Sequence, residues 1–325
     1  MALVDRLDRL QRRHPVAGFP IAVVYKYVDD SGPYLAALIT YYAFVSLFAL
    51  LLLLSTVLGH VLAGDPQLQQ RLIHSVVSQF PVVGAQLARP RELSGGTTGV
   101  VVGILGSLYG ALGVAQALQY AMNSAWSVPR NSRPNPFLAR GRSLLLLGTA
   151  GVAVIGTTAL SALGTVDVGS FGALFRVGVI VASVLVNVVV FVAAFRVATP
   201  RRLSIGQVAP GAIGAAVLWQ LLQTFGVTYV GHVVRSASPI NGVFALVLGL
   251  LAFLYLTAVA VVLCVEVNVV RVDRLHPRAL LTPFTDDVEL TPGDRRSYTG
   301  LAKAQRHKGF ETVHVTFDPP DRDDG

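Results

Sequence analysis

The chain has 325 residues, 53% of them hydrophobic and only 14% charged, with a mean hydropathy of +0.60. A soluble domain of this size needs more charge on its surface, so the composition excludes an ordinary soluble globular protein and points to a membrane protein. The formal net charge is +8. Because the arginines flank hydrophobic segments, the expected partner is membrane lipid with anionic headgroups, and no nucleic acid is expected.

In chain order, residues 1–13 place Leu3, Leu7 and Leu10 on one helical face, and Ile21, Val24, Tyr25 and Val28 repeat the i, i+3, i+4, i+7 pattern up to Asp29-Asp30. Both predict short amphipathic helices at the membrane surface, within an N-terminal segment 1–34. The first apolar run begins near Leu35 and is too long for the core of a cleaved signal peptide. About 20 apolar residues cross the hydrocarbon core as a helix, and six stretches suffice: about 35–63, 98–122, 143–166, 172–197, 207–233 and 242–270. After the first, Asp65-Pro66 reads as an N-cap and first helical position, and Leu68, Leu72, Val76 and Phe80 predict an extramembrane amphipathic helix over about 66–80. Beyond 271 the apolar runs vanish; residues 272–325 hold ten Asp and Glu and five Pro. That composition predicts a largely disordered tail, with one short strand around Val313, Val315 and Phe317. The fold class expected is all-α: a polytopic membrane protein with six transmembrane helices over 35–271, short interfacial helices and this tail.

Six spans put 21 of the 26 Lys and Arg on one side and leave Arg71, Arg89, Arg91, Arg176 and Arg235 on the other. Positive charge stays inside, so both termini are expected in the cytoplasm.

Polar residues within the spans are the candidate sites. The second span carries Gly99, Gly103, Gly106, Gly110 and Gly113, a face bare of side chains on which another helix can pack closely. Beside it lie Gln116, Gln119 and Asn123. With Asn187 of the fourth span and Trp219, Gln220, Gln223 and Thr224 of the fifth, they form a candidate polar seam. Amides there need partners in a neighbouring helix or in a water-filled cavity, so they serve either as interhelical glue or as a substrate path. Arg176, near the end of the fourth span, is expected to snorkel. Glu266 and Asn268 close the sixth span. A carboxylate at that depth needs a partner, and Arg196, Arg201 and Arg271 are the candidates; the alternative role for Glu266 is proton coupling. No nucleophile motif, phosphate loop or zinc motif occurs, and the single Cys264 and scattered histidines offer no metal site. No cofactor and no enzymatic activity are therefore expected.

Ala36-Ala37-Leu38, Tyr41-Tyr42, Ser46-Leu47-Phe48, Asn123 with Trp126, Pro200, Pro210-Gly211-Ala212, Trp219, Phe225, Tyr229 and Glu266-Val267-Asn268 stand in an order that resembles the YihY/virulence factor BrkB family over about 20–271. Two departures stand out: Ala49 where the family usually has proline, and Asn241-Gly242-Val243 where it usually has Tyr-Gly-Ser. The resemblance implies a bacterial plasma (inner) membrane protein of six spans. The family has carried a ribonuclease label; phosphodiester hydrolysis wants metal-holding carboxylates or an acid–base pair, and these spans supply one carboxylate. The functions left open are a transporter or lipid-handling protein, and a non-transporting envelope scaffold or assembly factor. Self-association as a homo-oligomer is open to either.

Overall fold

The computed structural model describes residues 8–9, 11–12, 15–61, 96–163, 172–236, 239–280 and 288–318. The helix expected over 66–80 lies outside the described residues, as does most of the 1–13 segment.

Among the described residues the chain is all-helical: α1 (Pro15–Asp29), α2 (Gly32–Val61), α3 (Gly96–Ala125), α4 (Pro136–Leu163), α5 (Gly172–Ala198), α6 (Ile205–Ser236), α7 (Pro239–Val272) and α8 (Pro292–Ala304). Helices α2 to α7 are the six expected spans, each long and apolar enough to cross a membrane. Residues 311–318 form no strand, which corrects the expectation for Val313, Val315 and Phe317. Three alternating apolar residues without a second strand to pair with have no ladder to join.

The spans pack in a closed circuit, α2 on α3, then α4, α5, α6, α7 and back to α2. Consecutive helices are neighbours, as short connections require. The outward faces stay apolar, with Val101, Leu105, Leu145, Val152, Val181, Leu185 and Val189 all about half exposed or more. In water such a surface is an aggregation liability; in lipid it is the solvated state.

The tightest pairing, α2 with α3, follows from the glycine row. A Cβ on Gly106 would lie 2.8 Å from Ala49 Cβ, one on Gly110 2.5 Å from the Ser46 backbone, and one on Gly113 inside the Tyr42 ring. Only glycine allows that approach, and Ser46 adds a 3.2 Å bond from its hydroxyl to the Ser107 carbonyl. Gly99 and Gly103 lie on the same face and are buried.

Helix α1 and the stretch from Arg278 to α8 meet at one end of the bundle, the terminal face. Helix α1 packs Ala22, Val23, Lys26 and Tyr27 inward, largely against α7, and turns Val16, Val24 and Val28 outward. It is thus a wedge at the membrane edge, buried on one side as well as lying on the surface. The main core sits here too: Met122, Trp126, Phe195, Leu203, Val208, Val265 and Val269 converge beneath α1.

The tail has an ordered portion. Arg278 is fully buried and reaches Asp29 at 3.0 Å, Asp294 at 2.5 Å and the Ser297 hydroxyl at 3.2 Å. Asp294 also closes a capping box with Thr291 at the start of α8. Burial alone would lower the Arg278 pKa, but Asp29 and Asp294 outweigh it and raise it. One guanidinium therefore fastens the end of α1 to the start of α8.

Candidate functional site

The expected seam divides into two places. On α3, Gln119 is buried and donates to Ser143 Oγ at 2.9 Å and to the Ala139 carbonyl at 3.1 Å, both on α4. It is interhelical glue. Asn123 is buried one turn further on, and Gln116 is exposed on the outer face. The cause is the glycine face: once it lies against α2, Gln119 is turned toward α4 and Gln116 outward.

The other residues meet at a cavity of about 420 Å³ between α4, α5 and α6. Asn187 and Ser183 from α5, Trp219, Gln220 and Gln223 from α6, and Thr157 from α4 supply its polar wall. Ala153, Ile180 and Phe191 are among its apolar residues. None of the described residues that line it is charged. Val154 and Ile180 on its rim are half exposed, so it opens on the lipid-facing side. Helix α6 has 32 residues, roughly 48 Å at 1.5 Å per residue, and Gln220 lies roughly 22 Å from its start, near mid-membrane. The side chains of Thr224 and Arg176 lie outside the described residues.

At the terminal face, Glu266 and Asn268 do different work from each other. Asn268 accepts from Gly211 N–H at 2.8 Å and donates to the Val208 carbonyl at 3.1 Å. Pro210 lies between them, inside α6. Lacking an N–H, it leaves the Gly206 carbonyl without its helical donor, and the Arg271 guanidinium takes that carbonyl instead. Gly211 has no room for a side chain, since a Cβ would strike the Cys264 carbonyl and Asn268. The Pro210-Gly211 and Asn268 positions are thus one device that splices α6 to α7.

Glu266 does not pair with Arg196, Arg201 or Arg271. Arg196 donates to the Leu203 carbonyl at 3.0 Å, and Arg201 forms a two-pronged pair with Asp273 at 3.1 and 3.2 Å while stacking 5.0 Å above Trp126. Those groups sit at the solvated rim, whereas Glu266 is fully buried on the opposite face of α7, toward α1. Its neighbours there are Lys26 and Asp30. Lys26 and Asp30, one helical turn apart, make an ion pair with both side chains 1% exposed. Burial pushes the Asp30 carboxyl above the usual carboxylate range, with Lys26 opposing it. Asp30 also lines a second cavity, of about 390 Å³, with Ser31, Tyr34, Tyr120, Ser124 and Arg133.

The Lys26 and Asp30 partners escaped sequence reasoning because they read as the polar end of a surface helix. The i, i+4 spacing of Lys and Asp was the available signal. The Arg278 clasp had a signal too: Thr291-Pro292-Gly293-Asp294 is a capping box with proline at the first helical position. Among the described residues no cluster of three or more His, Cys, Asp or Glu side chains is placed to hold a metal.

No curated protein and no solved structure matches this chain. The family model described as Virulence factor BrkB matches residues 23–285, a stretch that contains all six spanning helices, and the chain therefore belongs to that family of multi-pass membrane proteins.

Proposed function

We propose that this chain is a plasma-membrane transporter or lipid-handling protein that takes an amphiphile into the cavity between α4, α5 and α6. The observation that carries the reading is a mid-membrane cavity with an amide, hydroxyl and indole wall beside apolar residues, open toward lipid. A ligand with hydrogen-bonding groups and an apolar body matches a wall of that mixed character. Since none of the described lining residues is charged, the part of the ligand seated there is taken as uncharged. The terminal face is toward the cytoplasm by its excess of Lys and Arg, and its arginines meet anionic headgroups. The chain carries out no covalent chemistry in this reading.

Brominated-chain lipids of different headgroups, titrated into reconstituted protein, test it through quenching of Trp219 fluorescence, isolated by difference from Trp219→Phe. The expected result is saturable quenching that prefers one headgroup and weakens in Asn187→Leu and Gln223→Leu. Quenching that is equal for every headgroup and unchanged in both variants comes from surrounding lipid alone. That result would leave a non-transporting scaffold as the better reading.

A further inference from the structure

We propose that Asp30 and Glu266 share a single proton beside Lys26, and that this proton exchanges with water through the cavity at the terminal face. The site is independent of the amphiphile cavity and goes beyond the function proposed above. Three observations carry it. Glu266 is fully buried, and Lys26 and Asp30 are nearly so. Asp30, bonded to Lys26 through Oδ2, and Glu266 are charged neighbours in this cluster, and Asp30 Oδ1 and both Glu266 oxygens are buried without a hydrogen-bond partner among the described residues. Two carboxylates are both acceptors and cannot bond each other; one proton between them converts the clash into a hydrogen bond.

Charge balance gives the same answer. One ammonium and two ionised carboxylates would leave a net negative charge on side chains almost wholly withdrawn from water, a costly arrangement at low dielectric. With one proton the cluster is neutral. The other charged and titratable groups around it do not alter that count. Asp29 is held by Arg278; on α1, burial raises the Tyr27 phenol above its ordinary value and so keeps it neutral, and Tyr255 on α7 is its neighbour. Asp30 supplies the route, because it belongs both to the cluster and to the wall of the 390 Å³ cavity. Release passes the proton to water in that cavity and leaves Lys26 positive with both carboxylates negative. Uptake reverses the step, and no other reactant is needed.

Infrared spectroscopy of the full-length protein in membranes tests this without relying on any variant. The intact chain at neutral pH should show the C=O stretch of a protonated carboxyl group. Labelling glutamate and aspartate with ¹³C should shift it, and transfer to D₂O should shift it promptly. Absence of such a band at neutral pH overturns the proposal. Glu266→Gln and Asp30→Asn should each abolish the band; if either variant does not fold, the other decides, and a band that persists in a folded variant overturns the assignment. For the route, Ser124→Cys carrying a bulky thiol reagent should lose the prompt deuterium shift. An unchanged exchange rate with the reagent in place overturns access through this cavity.

Discussion

Asn268→Leu tests whether the sixth span holds the fifth by bonding its backbone around Pro210. Asn268 is 1% exposed, and its amide satisfies Gly211 N–H at 2.8 Å and the Val208 carbonyl at 3.1 Å. Leucine has a similar volume, so packing is largely kept and the hydrogen bonds are lost. If both backbone groups fall back on their own helix, the loss is that of two interhelical bonds, about 0.6 kcal/mol each in membrane proteins. If both are left unsatisfied, each costs about 1–3 kcal/mol. Pro210 has already weakened the helix at this turn, so the expected destabilisation lies between those limits, about 2–4 kcal/mol. Asn268→Asp keeps the acceptor for Gly211 but turns a buried charge toward the Val208 carbonyl, and should cost at least as much. The assay is reversible unfolding in mixed micelles. A loss for Asn268→Leu of less than about 0.5 kcal/mol, the size of an ordinary surface substitution, would refute the splice.

Gly110→Leu must displace the Ser46 backbone and should cost about 1–3 kcal/mol or more in detergent stability, whereas Gly148→Leu, with nothing near its Cβ position, should be neutral. Arg278→Ala leaves Asp29 and Asp294 without their cation; at about 3–5 kcal/mol for a buried pair broken from one side, trypsin should cut at Arg295 or Arg296 in the variant under conditions that spare the parent. Backbone N–H groups of His307 and Lys308 bond Glu311 and hold its carboxyl below the ordinary value of 4.5. That turn is therefore stabilised above the ordinary value and loses the bonds as pH falls through the lower folded value, so the two amide resonances should titrate together below pH 4.5.

Much of the architecture lay in the sequence because each signal was local. Lipid demands an apolar run of a given length, and all six runs became helices with ends within three residues of those read from hydropathy, except that α4 begins at Pro136 where about 143 was expected. The glycine row of α3 was legible for the same reason: steps of three and four residues keep one face bare whatever lies opposite. Which helix would lie opposite was not legible, since any partner could use that face. The choice of α2 then fixed the rotation of α3, sent Gln119 to α4 and Gln116 outward, and parted them from Asn187, Trp219 and Gln223.

The terminal face shows the same limit more sharply. Sequence marked Glu266 as a carboxylate in need of a partner but offered the nearest arginines, because proximity along the chain was the only distance available. Arg196, Arg201 and Arg271 are instead used by a carbonyl, by Asp273 and by the Gly206 carbonyl. The neighbours of Glu266 come from α1 and the turn that follows it, more than 230 positions away in the chain. Composition and periodicity determined that this protein spans a membrane six times and where each span runs. Only the packing of α1 against α7 decided that Lys26, Asp30 and Glu266 are buried together, because a charge's environment is set by whatever folds over it, and not by its position along a helix.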